Sequence, residues 1–214
     1  KKKADFQAQE ISYGEGGMKF RLLYRKHAYR GFVPGYGEHN VYNALAALAV
    51  LVTLGQNLKQ SINHLADFKH IRSHIEVKLG HNDSTIIDDT WSSNPTSVEA
   101  ALKVLHDLGK DKTKIAALGQ ISYLGKFSEI YYEKIAKMII RNKIDFLVTK
   151  DAQSRHIGEA AIKQGMDPKQ VILCNNDQEF QSTLLHLLNK DSILLFKCSM
   201  LDKSSQTVLT EILK

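Results

Sequence analysis

The chain contains few of the residues that build disulfide scaffolds, metal-bound modules or membrane spans. Its 214 residues include two cysteines and three prolines. Cys174 and Cys198 have no second cysteine at metal-ligand spacing, so they fit reduced, buried thiols far better than a disulfide framework or a zinc site. The longest apolar run, residues 44–52, is too short to span a bilayer, and no secretory pattern is visible. We therefore expect a cytoplasmic protein without a membrane partner.

The chain also lacks a concentrated basic patch. Its formal net charge is +6 at pH 7, part of which lies in residues 1–3, and the other lysines are scattered over predicted helix faces. A nucleic-acid surface needs clustered cations with interleaved aromatic side chains. We therefore expect no nucleic-acid partner. The content of 43% hydrophobic and 24% charged residues is typical of a globular protein with a substantial core.

The familiar nucleotide-binding fingerprints are absent or incomplete. The sequence contains no G-x-G-x-x-G. Residues 119–127, Gly-Gln-Ile-Ser-Tyr-Leu-Gly-Lys-Phe, lie between a predicted strand and a predicted helix, as a P-loop does. However, five residues rather than four separate the glycines, and Phe127 replaces the Ser or Thr that would bind magnesium. We expect no P-loop here, although the loop opens at the sheet edge where ligands bind.

Two patterns of hydrophobicity divide the chain. Residues 4–34 contain three alternating stretches that predict antiparallel strands, and two helices are predicted at about 41–55 and 58–68. From about residue 78, short apolar strands alternate with helices, which predicts an α/β domain with a mostly parallel sheet covered on both faces. The strand candidates are residues 85–88, 114–118, 145–148, 170–173 and 192–196. We place the boundary in the polar stretch of residues 69–79.

Residues 86–95, Ile-Ile-Asp-Asp-Thr-Trp-Ser-Ser-Asn-Pro, are the most informative segment. They predict a strand that carries Asp88 and Asp89 to its carboxyl end, then a loop and a helix capped by Asn94 with Pro95 at its first position. Ligands of parallel α/β folds bind at this end of the strands. The segment alone leaves two roles open for the carboxylates, a ligand site or the anchoring of a loop.

Two other polar patterns are weaker. Several histidines lie between residues 64 and 81, but only His70 and His74 have the i, i+4 spacing of a helical ligand pair, and no cysteine or H-E-x-x-H pattern accompanies them. We interpret them as surface histidines. Asn40, which follows His39 at a glycine-rich helix entrance, either caps that helix or presents its amide to a purine edge.

Four ordered motifs extend over nearly the whole chain. They are Gly-Glu-His-Asn-Val-Tyr-Asn-Ala-Leu-Ala-Ala at 37–47, Asp-Asp-Thr-Trp-Ser-Ser-Asn-Pro-Thr-Ser at 88–97, Leu-Gly-Gln-Ile-Ser-Tyr-Leu-Gly at 118–125 and Phe-Lys-Cys-Ser at 196–199. They resemble G-x-H-N-V-x-N-A-L-A-A, D-D-S-Y-N-A-N-P-x-S, L-G-D-M-x-E-L-G and V-K-G-S of the ATP-dependent Mur ligases of peptidoglycan synthesis. Within that family, the chain is most similar to the branch that joins D-alanyl-D-alanine to a UDP-muramoyl-tripeptide.

The resemblance implies a domain organisation. Mur ligases have a UDP-substrate domain, a central P-loop ATPase domain and a Rossmann-like C-terminal domain. Residues 1–77 would be the C-terminal part of the central domain, a partial segment of antiparallel strands and two helices. Residues 78–214 would be the Rossmann-like C-terminal domain. We expect ATP and Mg²⁺ to be bound mainly by regions outside this chain, and the chain alone to be inactive.

The resemblance also implies a reaction and roles for residues. An amine, such as D-alanyl-D-alanine, would attack the acyl phosphate of a UDP-muramoyl-peptide to form an amide. Asn40 would contact adenine and Asp89 the ribose hydroxyls, with Asp88 structural. His74 stands where the family has a nucleotide-contacting Arg, and Arg72 is a possible substitute. The substrate-binding residues would be Trp91, Ser92, Asn94, Gln120, Tyr123, Lys197 and Ser199. No residue of the chain is assigned a catalytic or metal-binding role.

Departures from the family pattern concern the substrate. Trp91-Ser92 replaces Tyr-Asn, Gln120 replaces Asp, Tyr123 replaces Glu, Tyr132 replaces His and Cys198 replaces Gly. Two carboxylates are lost from loops expected to face the amine, which suggests a different amine or a member outside peptidoglycan synthesis. Two alternatives therefore stand beside the first hypothesis. One is a non-catalytic Mur-like binding or regulatory domain, and the other is a related ligase acting on another carboxylate, such as a folate or polyglutamate substrate.

Overall fold

The computed structural model describes residues 4–122, 124–199 and 201–213. The chain forms two compact units, Lys1–Ile71 and Arg72–Lys214. No helix in the described part of the chain is both long enough and apolar enough to cross a bilayer.

The first unit is an antiparallel meander covered by helices. Its elements are β1 (Gln7–Gly14), β2 (Gly17–Tyr24), β3 (His27–Pro34), α1 (Glu38–Thr53) and α2 (Leu58–His64), with a 3₁₀ turn at Leu65–Asp67. The strands pair in the order β1-β2-β3. Strand β2 alternates buried Met18, Phe20 and Leu22 with more exposed residues, and these three side chains join a core with Val41 and Leu48 of α1. The three strands and two helices predicted from the sequence are confirmed.

The start of α1 differs from one prediction. Its N-cap is Gly37, which has φ 107, a left-handed conformation that glycine adopts without strain. Asn40 lies inside the first turn, and its Nδ2 donates to the carbonyl oxygen of Tyr36 at 3.0 Å. The interpretation of Asn40 as the helix cap is therefore wrong, because the helix begins earlier than the polar pair His39-Asn40 indicates.

The second unit is an α/β domain with a six-stranded sheet. Its strands are β4 (Glu76–Leu79), β5 (Thr85–Asp88), β6 (Thr113–Leu118), β7 (Phe146–Thr149), β8 (Val171–Leu173) and β9 (Ser192–Lys197). Its helices are α3 (Pro95–Leu108), α4 (Ser128–Arg141), α5 (Ala152–Lys163), α6 (Asp177–Leu187) and α7 (Lys203–Ile212). The sheet order is β4-β5-β9-β6-β7-β8, and all neighbours are parallel except β4 and β5. The predicted α/β class and mostly parallel sheet are confirmed.

The topology brings three carboxyl ends together. Strand β9 follows α6 and returns to lie between β5 and β6, so the carboxyl ends of these three strands are adjacent. All six residues of β9 are buried, as expected of a strand covered on both faces. Phe196 of β9 packs against Phe180 of α6 with ring centroids 5.9 Å apart. The sheet edge that carries Asp89 and Lys197 is therefore supported by a fully packed core.

The five strand candidates agree with β5–β9 to within one residue at each end. Strand β4 was not predicted, because residues 69–79 were interpreted as a connecting stretch. Its residues are alternately half-buried and exposed, as suits an edge strand, and its place comes from pairing with β5. The helix cap was predicted correctly: Asn94 Oδ1 accepts from the Ser97 amide at 3.0 Å, Ser97 Oγ accepts from the Asn94 amide at 3.1 Å, and Pro95 is the first helical residue.

Replacing Asn94 by Ala should lower the free energy of unfolding of the second unit by about 1 kcal/mol, because an amide in the first turn of α3 loses its acceptor. Urea unfolding followed by the fluorescence of Trp91, the single tryptophan of the chain, measures this unit. Thr96→Ala, at an exposed position in the same turn, is the control and should change stability by less than about 0.5 kcal/mol. Equal effects of the two variants would contradict the cap.

Candidate functional site

A buried ion pair lies where β5 and β9 end. Asp88 and Phe196 are register partners in these parallel strands, so the next residues, Asp89 and Lys197, stand side by side. Lys197 is fully buried and Asp89 is 5% exposed. Lys197 Nζ lies 2.7 Å from Asp89 Oδ2 and also donates to the main-chain oxygens of Asp89, at 3.3 Å, and of Ser92. One ammonium therefore fixes both the carboxylate and the loop that follows it.

The surroundings of this pair determine its electrostatics. Burial lowers the pKa of Lys197, and the negative charge of Asp89 opposes that effect. Removing one partner of a buried pair leaves the other charge without compensation, which costs much more than an exposed salt bridge is worth. The Asp89–Lys197 pair is therefore a strong constraint on the local structure.

Asp88 faces a different set of partners. Its carboxylate accepts from Lys78 Nζ at 2.6 Å, from Thr90 Oγ1 at 2.7 Å and from Ser73 Oγ at 3.3 Å. Asp88 is 1% exposed, and it connects β4 and the segment before it to the end of β5. These contacts agree with the structural role expected for Asp88.

The segment that precedes β4 is strained and lies against Asp89. Ser73 and Ile75 have φ angles of 59 and 54, and a positive φ is a genuine outlier for the β-branched Ile75. The Ile75 amide donates to Asp89 Oδ1 at 3.3 Å, and the Trp91 amide donates to the Ser73 oxygen at 3.1 Å. The rings of His74 and Trp91 lie 5.0 Å apart. Asp89 thus holds a left-handed turn that presents His74 beside Trp91.

The other predicted residues of this unit differ in their exposure and in their hydrogen bonds. Arg72 is exposed, and its carbonyl oxygen lies 3.0 Å from His74 Nδ1. Gln120 is exposed in the loop after β6. The Gly119 amide, in the same loop, donates a hydrogen bond to the Lys197 main-chain oxygen of β9 at 3.1 Å. Ser199 is half-buried and its hydroxyl accepts from the Leu201 amide at 3.3 Å.

Four predicted residues need separate mention. Tyr123 lies outside the described residues. Asn94 uses its side-chain oxygen for the helix cap. Lys197 has no exposed surface, so in this structure its ammonium acts on Asp89 and Ser92 rather than on the solvent side of the edge. Asn40 belongs to the first unit, where its amide is held by Tyr36. The substrate and nucleotide contacts of all these residues stay predictions.

A second buried lysine was not predicted from the sequence. Lys150 follows β7 and is 7% exposed, with Nζ 2.8 Å from Asp177 Oδ1, 2.7 Å from Asp202 Oδ2 and 2.9 Å from Ser204 Oγ. Asp177 begins α6 and Asp202 caps α7. We call this group the Lys150 clamp. No local motif indicates this group, because its three charged residues, Lys150, Asp177 and Asp202, are distant in sequence.

The clamp changes the protonation of its members. Burial works against the charge on Lys150, but the Asp177 and Asp202 carboxylates outweigh it and raise the pKa of the amine. Burial likewise opposes ionisation of Asp202, but the Lys150 ammonium and the hydroxyls of Ser205 and Ser204 lower the pKa of this carboxyl below its ordinary value. Both groups are therefore charged near neutral pH.

Both cysteines are buried free thiols, as predicted. Burial raises the pKa of Cys198 to about 12 and also raises the pKa of Cys174. The reactive form of a thiol is the thiolate. Neither cysteine therefore has the character of a nucleophile. Within the described residues, no group of three or more His, Cys, Asp or Glu side chains is arranged to hold a metal ion. We assign no Mg²⁺ ligand to the described chain and derive no step through a metal.

An α/β unit with a charged pair at the carboxyl edge of neighbouring parallel strands is the architecture of a ligand-binding Rossmann-like domain. The family described as "Mur ligase, glutamate ligase domain" matches residues 75–200, which is more than half of the chain, and "Mur ligase middle domain" matches residues 1–51. The chain belongs to the Mur ligase family.

Individual proteins show the same relationship. The chain is 27% identical over 195 residues to UDP-N-acetylmuramoyl-tripeptide–D-alanyl-D-alanine ligase of Bacillus subtilis, covering 91% of this chain and 42% of the relative. It resembles the crystal structure of MurF from Acinetobacter baumannii with a TM-score of 0.82 and 24% identity, over 97% of this chain and 44% of that one. MurF from Thermotoga maritima in complex with ADP gives a TM-score of 0.78 at 20% identity, over 97% and 45%. The chain thus spans less than half the length of these relatives, and the two structures establish the shared fold.

Replacing Lys197 by Met should lower the free energy of unfolding by about 3–5 kcal/mol, because the Asp89 carboxylate stays buried without its partner. Asp89→Asn alone should also lower the free energy of unfolding. The loss in the double variant should be smaller than the sum of the two single losses by about 1–3 kcal/mol. Urea unfolding of the four proteins gives this coupling energy. Lys203→Met, at an exposed lysine, is the control. Additive effects of the two single substitutions would contradict the pair.

Acid should weaken the second unit through Asp202. Its pKa is lowered by folding, so its contribution to stability is present above the unfolded-state pKa of about 3.9 and is lost as the pH falls below that value. Lys150→Met removes the cation, so the free energy of unfolding should be smaller at neutral pH and should fall less steeply between about pH 5 and about pH 3. Lys137→Met, at an exposed lysine of α4, should keep the original slope. An unchanged slope in Lys150→Met would contradict the clamp.

Proposed function

We propose that this chain is the part of an ATP-dependent, amide-bond-forming ligase that contributes a ribose contact and an amine-substrate pocket. The observation that carries the proposal is the Asp89 carboxylate, held by Lys197 at the carboxyl edge of the sheet in a chain of the Mur ligase family. We further propose that residues 1–77 are the C-terminal part of the central domain and residues 78–214 the C-terminal domain.

The chemistry of Asp89 suits a ribose. A carboxylate offers about four acceptor positions, and vicinal hydroxyls are donors that it binds well. The Ile75 amide and the Lys197 ammonium occupy two of them. Because Lys197 and the turn at residues 73–75 fix the carboxylate in advance, little conformational entropy is lost when hydroxyls bind.

The reaction of the proposed ligase follows from its substrates. ATP, when bound, supplies the phosphoryl group that activates a carboxylate as an acyl phosphate. In our proposal Asn40 contacts the adenine, while His74 and Arg72 contribute to the nucleotide site. Mg²⁺ would be held mainly by regions outside this chain. The role of Lys197 is to position Asp89 and the Ser92 carbonyl, because its own side chain is fully buried.

The amine pocket is proposed at the loops that follow β5, β6 and β9. It comprises the residues Trp91, Ser92, Asn94, Gln120, Tyr123 and Ser199. Trp91 is 49% exposed, and Gln120 is exposed as well, so both can be reached by a ligand. The Ser122 amide donates to the Ser93 oxygen at 2.7 Å, which joins two of these loops. The proposed substrates are a UDP-muramoyl-peptide and an amine, with D-alanyl-D-alanine the first to test in view of the name of the Bacillus relative.

The full-length protein encoded by the gene tests the proposal. Phosphate release from ATP should require both UDP-muramoyl-tripeptide and an amine, with D-alanyl-D-alanine among the amines that stimulate it. Stimulation by other amines alone would overturn the D-alanyl-D-alanine assignment. Activity with a different carboxylate would place the enzyme outside peptidoglycan synthesis. Nucleotide binding without turnover under every condition would favour a binding or regulatory domain and would overturn the ligase.

The ribose contact has its own test. In the full-length protein, 2′-deoxy-ATP should have a KM about 10-fold above that of ATP, as expected when a hydrogen bond to a charged acceptor is lost. Asp89→Asn should raise the KM for ATP and reduce the ratio of the two KM values toward one. Asp191→Asn, an exposed acidic residue before β9, should leave the ratio unchanged. A ratio that survives in Asp89→Asn would remove the ribose role.

A further inference from the structure

A cleft of about 860 Å³ lies beside the loop after β6, between α4 and α5 of the second unit. Its lining includes Gln120 and Ser122 of that loop. Its walls include Glu129, Tyr132 and Glu133 of α4, and on α5 they include Gln153, His156, Glu159 and Lys163. None of the wall residues that the structure describes takes part in the Asp89–Lys197 pair or the Lys150 clamp.

The α4 wall of the cleft carries two carboxylates, Glu129 and Glu133, and the α5 wall carries the ammonium group of Lys163. Glu129 and Glu133 are separated by one helical turn, where like charges repel and destabilise a helix. Both are exposed, and neither forms an ion pair with another residue in the described parts of the chain. On the opposite wall, Glu159 already lies near Arg155, at 3.8 Å, and near His156, at 3.3 Å. A cation in the cleft would relieve the repulsion on α4.

The aromatic wall supplies a second and independent observation. Tyr132 is 8% exposed and lines the cleft, with its ring 5.5 Å from that of His156 at an interplanar angle of 22°. Among the described residues, no hydrogen-bond partner is found for its hydroxyl. Burial, with a contribution from Asp151, raises the pKa of Tyr132, so the phenol stays protonated. The hydroxyl of a neutral phenol accepts a hydrogen bond from an ammonium group, and the face of its ring attracts the same cation.

We infer that the α4–α5 cleft binds an organic cation, with the ammonium group between Glu129 and Glu133 and the carbon chain against Tyr132 and His156. Carboxylates favour the protonated form of an amine. An amine that attacks an acyl phosphate must be unprotonated. The cleft therefore does not hold the attacking amine, and because D-alanyl-D-alanine carries no second cationic group, the inference stands apart from the proposed function.

Three five-carbon probes that differ only in their end groups test the inference on the chain as it stands. Cadaverine carries two ammonium groups, pentanediol two hydroxyls and glutarate two carboxylates. Amide chemical shifts in nitrogen–proton NMR spectra should respond to cadaverine at α4 and α5, and not to the other two probes. Responses to all three probes, or responses spread over the whole surface, would overturn the site.

Matched variants distinguish specific binding of cadaverine in the cleft from general electrostatic attraction to an acidic surface. Glu129→Gln with Glu133→Gln should weaken cadaverine binding about 10-fold, as two nearby charges are removed. Glu99→Gln with Glu211→Gln removes the same charge from exposed positions on α3 and α7 and should have little effect. Tyr132→Phe keeps the ring and should weaken binding by about 2- to 5-fold. Equal losses in the two double variants would contradict the inference.

These measurements use neither ATP nor ligase activity. Cadaverine binding in the cleft, together with no ATP-dependent turnover by the full-length protein, would contradict the proposed function and support the cation site. Turnover without cadaverine binding would sink the cation site alone.

Discussion

Lys197 is fully buried at the carboxyl edge of the sheet, where its ammonium group needs a counter-charge and hydrogen-bond acceptors in place of water. The Asp89 carboxylate supplies the charge, and the carbonyl oxygens of Asp89 and Ser92 complete the set of acceptors. The path of the loop after β5 follows from this requirement, since two of its carbonyl groups must face inward. Asp89 in turn accepts from Ile75 and supports the left-handed turn that places His74 beside Trp91. The candidate site is therefore built outward from one buried charge.

The Lys150 clamp stabilises the same edge at the end of β7, again by pairing a buried ammonium group with carboxylates. It joins the end of β7 to the starts of α6 and α7, and both carboxylates that it binds lie at helix N-termini, where negative charge is favoured. Trp91 and Gln120 are exposed at this edge. Gln120 also lines the α4–α5 cleft. The ammonium groups of both buried lysines, Lys150 and Lys197, are thus paired with carboxylates.

Local and periodic features were predictable from the sequence. Strands β5–β9 are short apolar runs, and the Asn94-Pro95 start of α3 depends on residues that are neighbours in the chain. Strand β4 was missed because an alternating edge strand of four residues has no apolar run, and its conformation depends on β5. The Asp88–Asp89 segment was identified, but the partner of Asp89 was not. The Asp89–Lys197 pair joins strands that are neighbours in the sheet but distant in sequence, and the Lys150 clamp likewise joins distant segments, so both depend on topology, which composition and spacing do not encode.

We propose that the carboxylate held by Lys197 receives the ribose of ATP. A crystal structure of the full-length protein with ADP tests it most directly. We expect a ribose hydroxyl oxygen to lie within about 3 Å of one Asp89 carboxylate oxygen while Lys197 still contacts the other. A nucleotide whose ribose lies beyond hydrogen-bonding distance of Asp89, bound instead by other residues, would contradict it.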